Sequence, residues 1–168
     1  MAEFDPRALE GHDLLYFKLH GLPGQPYWYG DNWTTALSAE QIRTANLHGS
    51  VIFVANCNLW LSKPGDPRKN APILLALLQA GARAVVGGSG KNYAKADQPF
   101  AADQLGRLFT RALHHGLTPP SAFKLARTTF EVQTKIKLKS KKVTAKERLA
   151  LKDTLEFRIF EQLTEVPK

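Results

Sequence analysis

Two apolar runs constrain the fold of this chain more than any other feature. Asp13-Leu14-Leu15-Tyr16-Phe17-Lys18-Leu19 and Ser50-Val51-Ile52-Phe53-Val54-Ala55-Asn56-Cys57-Asn58 are both rich in apolar and β-branched residues and bounded by Gly and polar residues. Runs of roughly six or seven such residues read as strands buried on both faces, which is the environment of a parallel sheet. Between them, Ser38 to Leu47 predicts a short helix, with Ser38 as N-cap and Gln41 at the capping-box position. A strand-helix-strand crossover makes the two strands parallel.

The ends of the two runs carry the chemistry. The first ends in His20-Gly21 and the second in Cys57-Asn58, and Cys57 is the chain's single cysteine. Ligands of open α/β sheets bind outside the carboxyl ends of the strands, so a thiol and an imidazole are expected at one edge. That is the layout of a cysteine-nucleophile site. The bland alternative is a cysteine serving as a small core hydrophobe beside a structural histidine.

The remaining segments complete an α/β pattern. Ile73, Leu74, Leu77 and Leu78 fall at helical spacing and lead into a third strand, Arg83 to Gly88. Gln98 to Gly116 reads as a helix with Leu105, Leu108, Phe109 and Leu113 apolar. Pro119 and Pro120 open another, with Phe123, Leu125, Ala126 and Phe130. Both helices are expected to cover the sheet. Lys146 to Asp153 suggests a further helix, and Leu155 to Phe160 alternates in period two, as a half-exposed edge strand does.

Composition narrows the class. A chain of 168 residues with 43% hydrophobic content suits one globular domain. No apolar stretch approaches the roughly 20 residues that span a bilayer, and the start lacks a basic-then-apolar leader, so a cytoplasmic protein with no membrane association is the expectation. A lone cysteine forms no internal disulfide. Much of the net charge of +8 lies in the basic segment 135–146, which suits nucleic acid or an acidic partner. It has no interleaved aromatic residues, so a solvated helix face or loop is favoured. His114-His115 point about 100° apart on a helix and have no further ligands at metal-binding spacing. Gly87-Gly88-Ser89-Gly90-Lys91 falls short of a phosphate loop.

At this level the residues resemble a family. Asp13 to Gly21 is similar to the strand ending in His-Gly of the CHAT domains, caspase-like cysteine peptidases, and Val51 to Asn58 to the strand ending in their nucleophile. Leu37 to Ile42, Ala80 to Gly87, the helix from Pro120 to Ala126 and the strand near Phe157 match in order and spacing. The likeness covers about residues 9–163. Family members usually carry a strand and a helix upstream, so a piece of a larger protein or a reduced version of the fold is expected. Asn56-Cys57-Asn58 stands where Ala-Cys and a small polar residue are usual, and the Trp common after the third strand is missing.

The resemblance implies a three-layer caspase-like fold, mostly parallel, with helices on both faces. It further implies a cysteine endopeptidase with no metal or cofactor, acting on a protein or peptide and governed by a regulatory or sensor partner. Cys57 would be the nucleophile. His20 would take the proton of a thiol that otherwise ionises only near about pH 8.5 and return it to the leaving amine. Backbone N–H groups of Gly21 and Cys57 would form the oxyanion hole, because a glycine lets main chain approach the developing charge. Asn58, Trp28, Asp31, Trp60 and Ser89 are candidate cleft residues. Asp31 or Asp66 could attract a basic side chain, although turn formation is the commoner use of Asp. A catalytically silent module that binds a protein partner is the second reading, and a basic nucleic-acid-binding α/β domain the third.

Overall fold

The two apolar runs become adjacent parallel strands. In the computed structural model, which describes residues 4–60, 72–92, 100–139 and 143–162, the first strand β1 is Leu14–Phe17. A small antiparallel sheet follows, made of β2 (His20–Gly21), β3 (Tyr27–Tyr29) and β4 (Thr35–Ser38). Helix α1 (Ala39–Thr44) then leads to β5 (Val51–Val54), α2 (Pro72–Gln79) and β6 (Ala84–Gly87). Helices α3 (Ala102–His114), α4 (Pro119–Leu138) and α5 (Ala145–Thr154) precede the last strand, β7 (Arg158–Glu161).

The main sheet has the order β1-β5-β6-β7. Strands β1, β5 and β6 are parallel, and β7 runs antiparallel to β6 at the edge, as the period-two pattern predicts. Every residue of β5 and β6 is buried, and alternate side chains enter different cores. Val51, Phe53, Ala84 and Val86 pack with Leu105, Phe109, Phe123, Phe130 and Leu151 of α3, α4 and α5. Ile52, Val54 and Val85 pack with Ile42, Leu47, Leu74 and Leu77 around α1 and α2. The near-continuous apolar runs of β5 and β6 are therefore a consequence of covering both faces. β1 was expected to be buried in the same way but forms the other edge of the sheet, with none of its residues fully buried and Tyr16 42% exposed.

Local signals explain the helix starts. The Ser38 side chain accepts from the Gln41 N–H, and the Gln41 side chain accepts from the Ser38 N–H, closing the expected capping box of α1. Thr144 and Glu147 do the same for α5.

Two further features depart from expectation. The chain between β1 and α1 forms the β2-β3-β4 sheet, so His20 leaves the main sheet and pairs with Tyr29. The turn residues Pro23, Gly24 and Pro26 reverse the chain, and Trp28 opposite Leu37 supplies the apolar pair that anchors the hairpin on the core. Leu125 does not cover the sheet: it is 51% exposed, because α4 turns Ala122, Phe123, Ala126 and Phe130 inward. Helix α4 runs into the basic segment, where Lys135 and Lys139 are exposed, in line with the solvated helix face or loop favoured from the sequence; residues 140–142 of that segment, residue 98 at the expected start of α3, and residue 163 lie outside the described residues. Among the described residues no helix is long and apolar enough to cross a membrane.

The centre of the larger core is aromatic. Phe53 stacks on Tyr16 and Phe157 and meets Phe109 at an angle, with ring centroids 5.3, 5.7 and 5.9 Å away. Gly106 of α3 fits against two of these rings: a Cβ there would lie 2.7 Å from Tyr16 and 2.8 Å from Phe53. Helix propensity alone would make Gly106→Ala stabilising by about 1 kcal/mol, whereas overpacking a filled core costs about 1–3 kcal/mol. We expect the packing term to win and the urea midpoint to fall in Gly106→Ala. A raised midpoint would mean that the Tyr16 ring yields freely.

Candidate active site

The carboxyl ends of β1 and β5 open into a cleft of about 630 Å³ whose walls include His20, Cys57, Lys18, Asp31, Asn92 and Asp103. The two strands stay in ladder register up to Phe17 opposite Val54, and the Ala55 N–H donates to the Phe17 carbonyl at 2.8 Å. Beyond that point the backbones part. The Leu19 N–H donates to the Asn56 side-chain oxygen at 2.6 Å instead of to backbone, after which His20 enters β2.

Cys57 is half-buried, and among the described residues its Sγ is held by Asn92. The Asn92 N–H donates to Sγ at 3.1 Å, and the thiol faces the Asn92 carbonyl at 3.4 Å. The Asn92 side-chain amide donates to the Asn56 carbonyl at 2.5 Å. His20 is exposed, and its ring stacks on Trp33 with centroids 5.0 Å apart. No hydrogen bond joins His20 to Cys57 among the described residues, and the Cys57 N–H likewise has no partner there. Gly21 is a close approach: a Cβ at this position would run into the Cys57 carbonyl oxygen. A side chain after His20 would therefore push the segments carrying His20 and Cys57 apart.

Positive-φ residues adjoin several residues of this cleft. Among the described residues, the non-glycine residues with positive φ are Asn32, Trp33, Asn58 and Ala101, with φ between 50° and 59°. Asn58 follows Cys57, Trp33 carries the ring on His20, and Ala101 lies between Phe100 and Ala102, both of which line the cleft. Such conformations cost roughly 1–3 kcal/mol each and persist where surrounding contacts enforce them. At Asn58 the contacts are visible. Its N–H donates to the Gly90 carbonyl at 2.9 Å and its side-chain amide to the Gly21 carbonyl at 3.3 Å.

An ion pair forms part of the cleft wall. The Lys18 ammonium meets the Asp103 carboxylate at 2.8 Å, and the Tyr16 hydroxyl donates to the other Asp103 oxygen at 3.1 Å. Asp103 is only 9% exposed, while the Lys18 side chain is about half exposed. Burial pushes the Tyr16 hydroxyl pKa up, and the neighbouring Asp103 charge and hydrogen bond push it in the same direction.

Several cleft candidates sit elsewhere. Trp28 is 2% exposed and packs against Phe17 in the core. Trp60 donates its indole N–H to the Gly87 carbonyl at 3.2 Å and meets Phe160 edge-on, which places it over the end of β6. Ser89 donates to Glu156 at 3.0 Å, and Asn58 braces Gly21. None of these four lines the cleft; Asp31 does. Asp66 lies outside the described residues. Lys18, Asn92 and Asp103 were absent from the sequence-based site. Lys18 had a usable signal, since it stands two residues before His20; Asn92 and Asp103 had none. The rings of His114 and His115 meet edge-on, 6.5 Å apart, and no group of three His, Cys, Asp or Glu residues converges as a ligand set among the described residues.

No protein-family model matches the chain, and no curated protein matches its sequence.

The loop that holds Sγ is braced from behind by acidic residues. Leu59 and Asn58 donate to the carbonyls of Gly88 and Gly90, Glu156 accepts from Ser89, and Asp153 packs beside Gly90. Burial raises the Asp153 carboxyl above its ordinary 3.8, and the Glu156 charge adds to the shift. A raised folded-state pKa means that the folded chain holds this proton to higher pH than the unfolded chain does. Stability therefore falls as pH rises above 3.8 through the folded-state value. In paired denaturation curves, Asp153→Asn should be more stable than the parent at neutral pH, with the gap narrowing below the ordinary Asp range. A gap independent of pH would contradict this assignment.

Proposed function

We propose that the chain is a cysteine endopeptidase domain of the CHAT type, built on a caspase-like three-layer arrangement, with Cys57 as nucleophile and His20 as general base. The carrying observation is that Cys57 and His20 open into one cleft at the carboxyl ends of adjacent parallel strands, with Gly21 pressed against the Cys57 carbonyl. The positive-φ residues Asn58 and Ala101, each next in sequence to a residue that lines the cleft, support the same reading.

In this mechanism His20 takes the thiol proton as Sγ attacks the scissile carbonyl. The resulting oxyanion is met by the N–H of Cys57, which has no partner among the described residues, and by that of Gly21. His20 then gives its proton to the leaving amine, and water, deprotonated by the same imidazole, hydrolyses the thioester. Asp31 is the candidate on the cleft wall for meeting a basic substrate side chain. The chemistry calls for no metal or cofactor, and a protein partner or sensor module would regulate it.

One observation favours the second reading, a silent caspase-like module that binds a partner protein. Sγ is engaged by Asn92 and the His20 ring by Trp33, so the pair must swing together before it can react. A peptidyl acyloxymethyl ketone separates the readings. The peptidase reading predicts stoichiometric labelling of Cys57 and cleavage of an unfolded protein such as casein, both lost in Cys57→Ala. It also predicts a drop of about a hundredfold or more in His20→Ala, the size expected when a general base is removed. Labelling that is equally fast in His20→Ala, with no cleavage, would leave the binding module.

A further inference from the structure

Asn56 occupies the point where the two site-bearing segments separate. It is 1% exposed and directly precedes Cys57, while its hydrogen-bond donor, Leu19, directly precedes His20. Up to Phe17 and Val54 the segments are held by the parallel ladder. One step later the ladder bond is made by a side chain: the Asn56 oxygen takes the Leu19 N–H that would otherwise have no strand partner as the chain turns into β2. The main-chain carbonyl of Asn56 accepts from the Asn92 side chain, and the Asn92 backbone holds Sγ. One buried residue thus ties the imidazole-bearing segment, the thiol-bearing segment and the loop contacting the thiol.

The orientation of the amide is not free. Because its oxygen must face the Leu19 N–H, its nitrogen faces the other way, where it has no hydrogen-bond partner among the described residues. A buried donor without a partner lowers stability. The stabilising value of the amide is thus partial, whereas its positional role accounts for the observed bonds. An apolar residue here would remove the orphaned donor and also cut the link to Leu19.

We propose that Asn56 is a positioning residue that sets the spacing of His20 from Cys57 through its bond to the Leu19 N–H. The inference rests on the Cys-His reading. A residue acting in this way affects Cys57 only through His20, so its effect must disappear once His20 is removed. A merely structural residue would weaken the site to the same degree with or without His20.

The test is a double-mutant cycle on the full chain, read as the rate of Cys57 alkylation by iodoacetamide at about pH 6, where an unassisted thiol is almost wholly protonated. Parent, Asn56→Ala, His20→Ala and the double variant are compared, with far-UV circular dichroism and thermal melting confirming that each is folded. The expected result is a fall of about tenfold or more in Asn56→Ala and little or no further fall when Asn56→Ala is added to His20→Ala. Asn56→Asp retains the acceptor and should keep the His20 dependence, which gives a readout should the alanine variant fail to fold. Equal losses from Asn56→Ala in both backgrounds, or a folded Asn56→Asp that has lost the His20 dependence, would overturn the positioning role alone. A parent rate that does not depend on His20 would overturn the Cys-His reading and the positioning role with it.

Discussion

The parallel pairing of β1 with β5, in the register Phe17 opposite Val54, is the constraint on which the rest of the structure depends. It brings two segments far apart in sequence together, and it stops just before Asn56-Cys57 on one and His20 on the other. Burial holds the pairing, since β5 is covered on both faces and its alternate side chains anchor separate cores. A one-residue slip would exchange those faces and carry Phe53 away from its aromatic neighbours.

Past the end of the ladder, geometry is set by contacts of a different kind. Gly21 must lack a side chain because the Cys57 carbonyl lies against it, and Asn58 accepts a left-handed backbone in order to bond Gly90 and Gly21 together. These are local costs borne by a rigid scaffold, as expected where a site, and not stability, dictates conformation. The Lys18–Asp103 pair belongs to the same edge. Its carboxylate is nearly buried and its ammonium half exposed, so the charge that reaches the cleft from this pair is mainly the cation.

Legibility in the sequence followed the range of the interaction. The strands β5 and β6 and the capping box at Ser38 rest on burial and on contacts within a turn, which leave a direct pattern in neighbouring residues; β1 has the same apolar run, yet it forms a sheet edge and is not buried on both faces. That His20 and Cys57 line one cleft was expected from the ends of the two apolar runs, although His20 lies in β2 and not at the end of a main-sheet strand. The small antiparallel sheet was not legible, because a two-residue strand at His20–Gly21 carries no periodicity. Trp28 was misplaced for a related reason: an aromatic lining a cleft and one packed beneath a hairpin have the same local sequence. Asn92 and Asp103 were invisible because their partners lie 35 and 87 residues away in the chain, at positions fixed only by tertiary packing. Leu125 shows the opposite error, an apolar residue assigned to the core although the inward face of α4 is occupied by its neighbours.

The central claim is that the Cys57 sulfur, assisted by His20, attacks a carbonyl carbon. Its most direct measurement is the intact mass of the chain, quenched in acid while it turns over an activated peptide ester, compared between the parent and His20→Ala. The account predicts one acyl group on Cys57 that forms and decays in the parent, and that forms much more slowly in the variant. An adduct at another residue, no adduct, or equal rates in both proteins would contradict it.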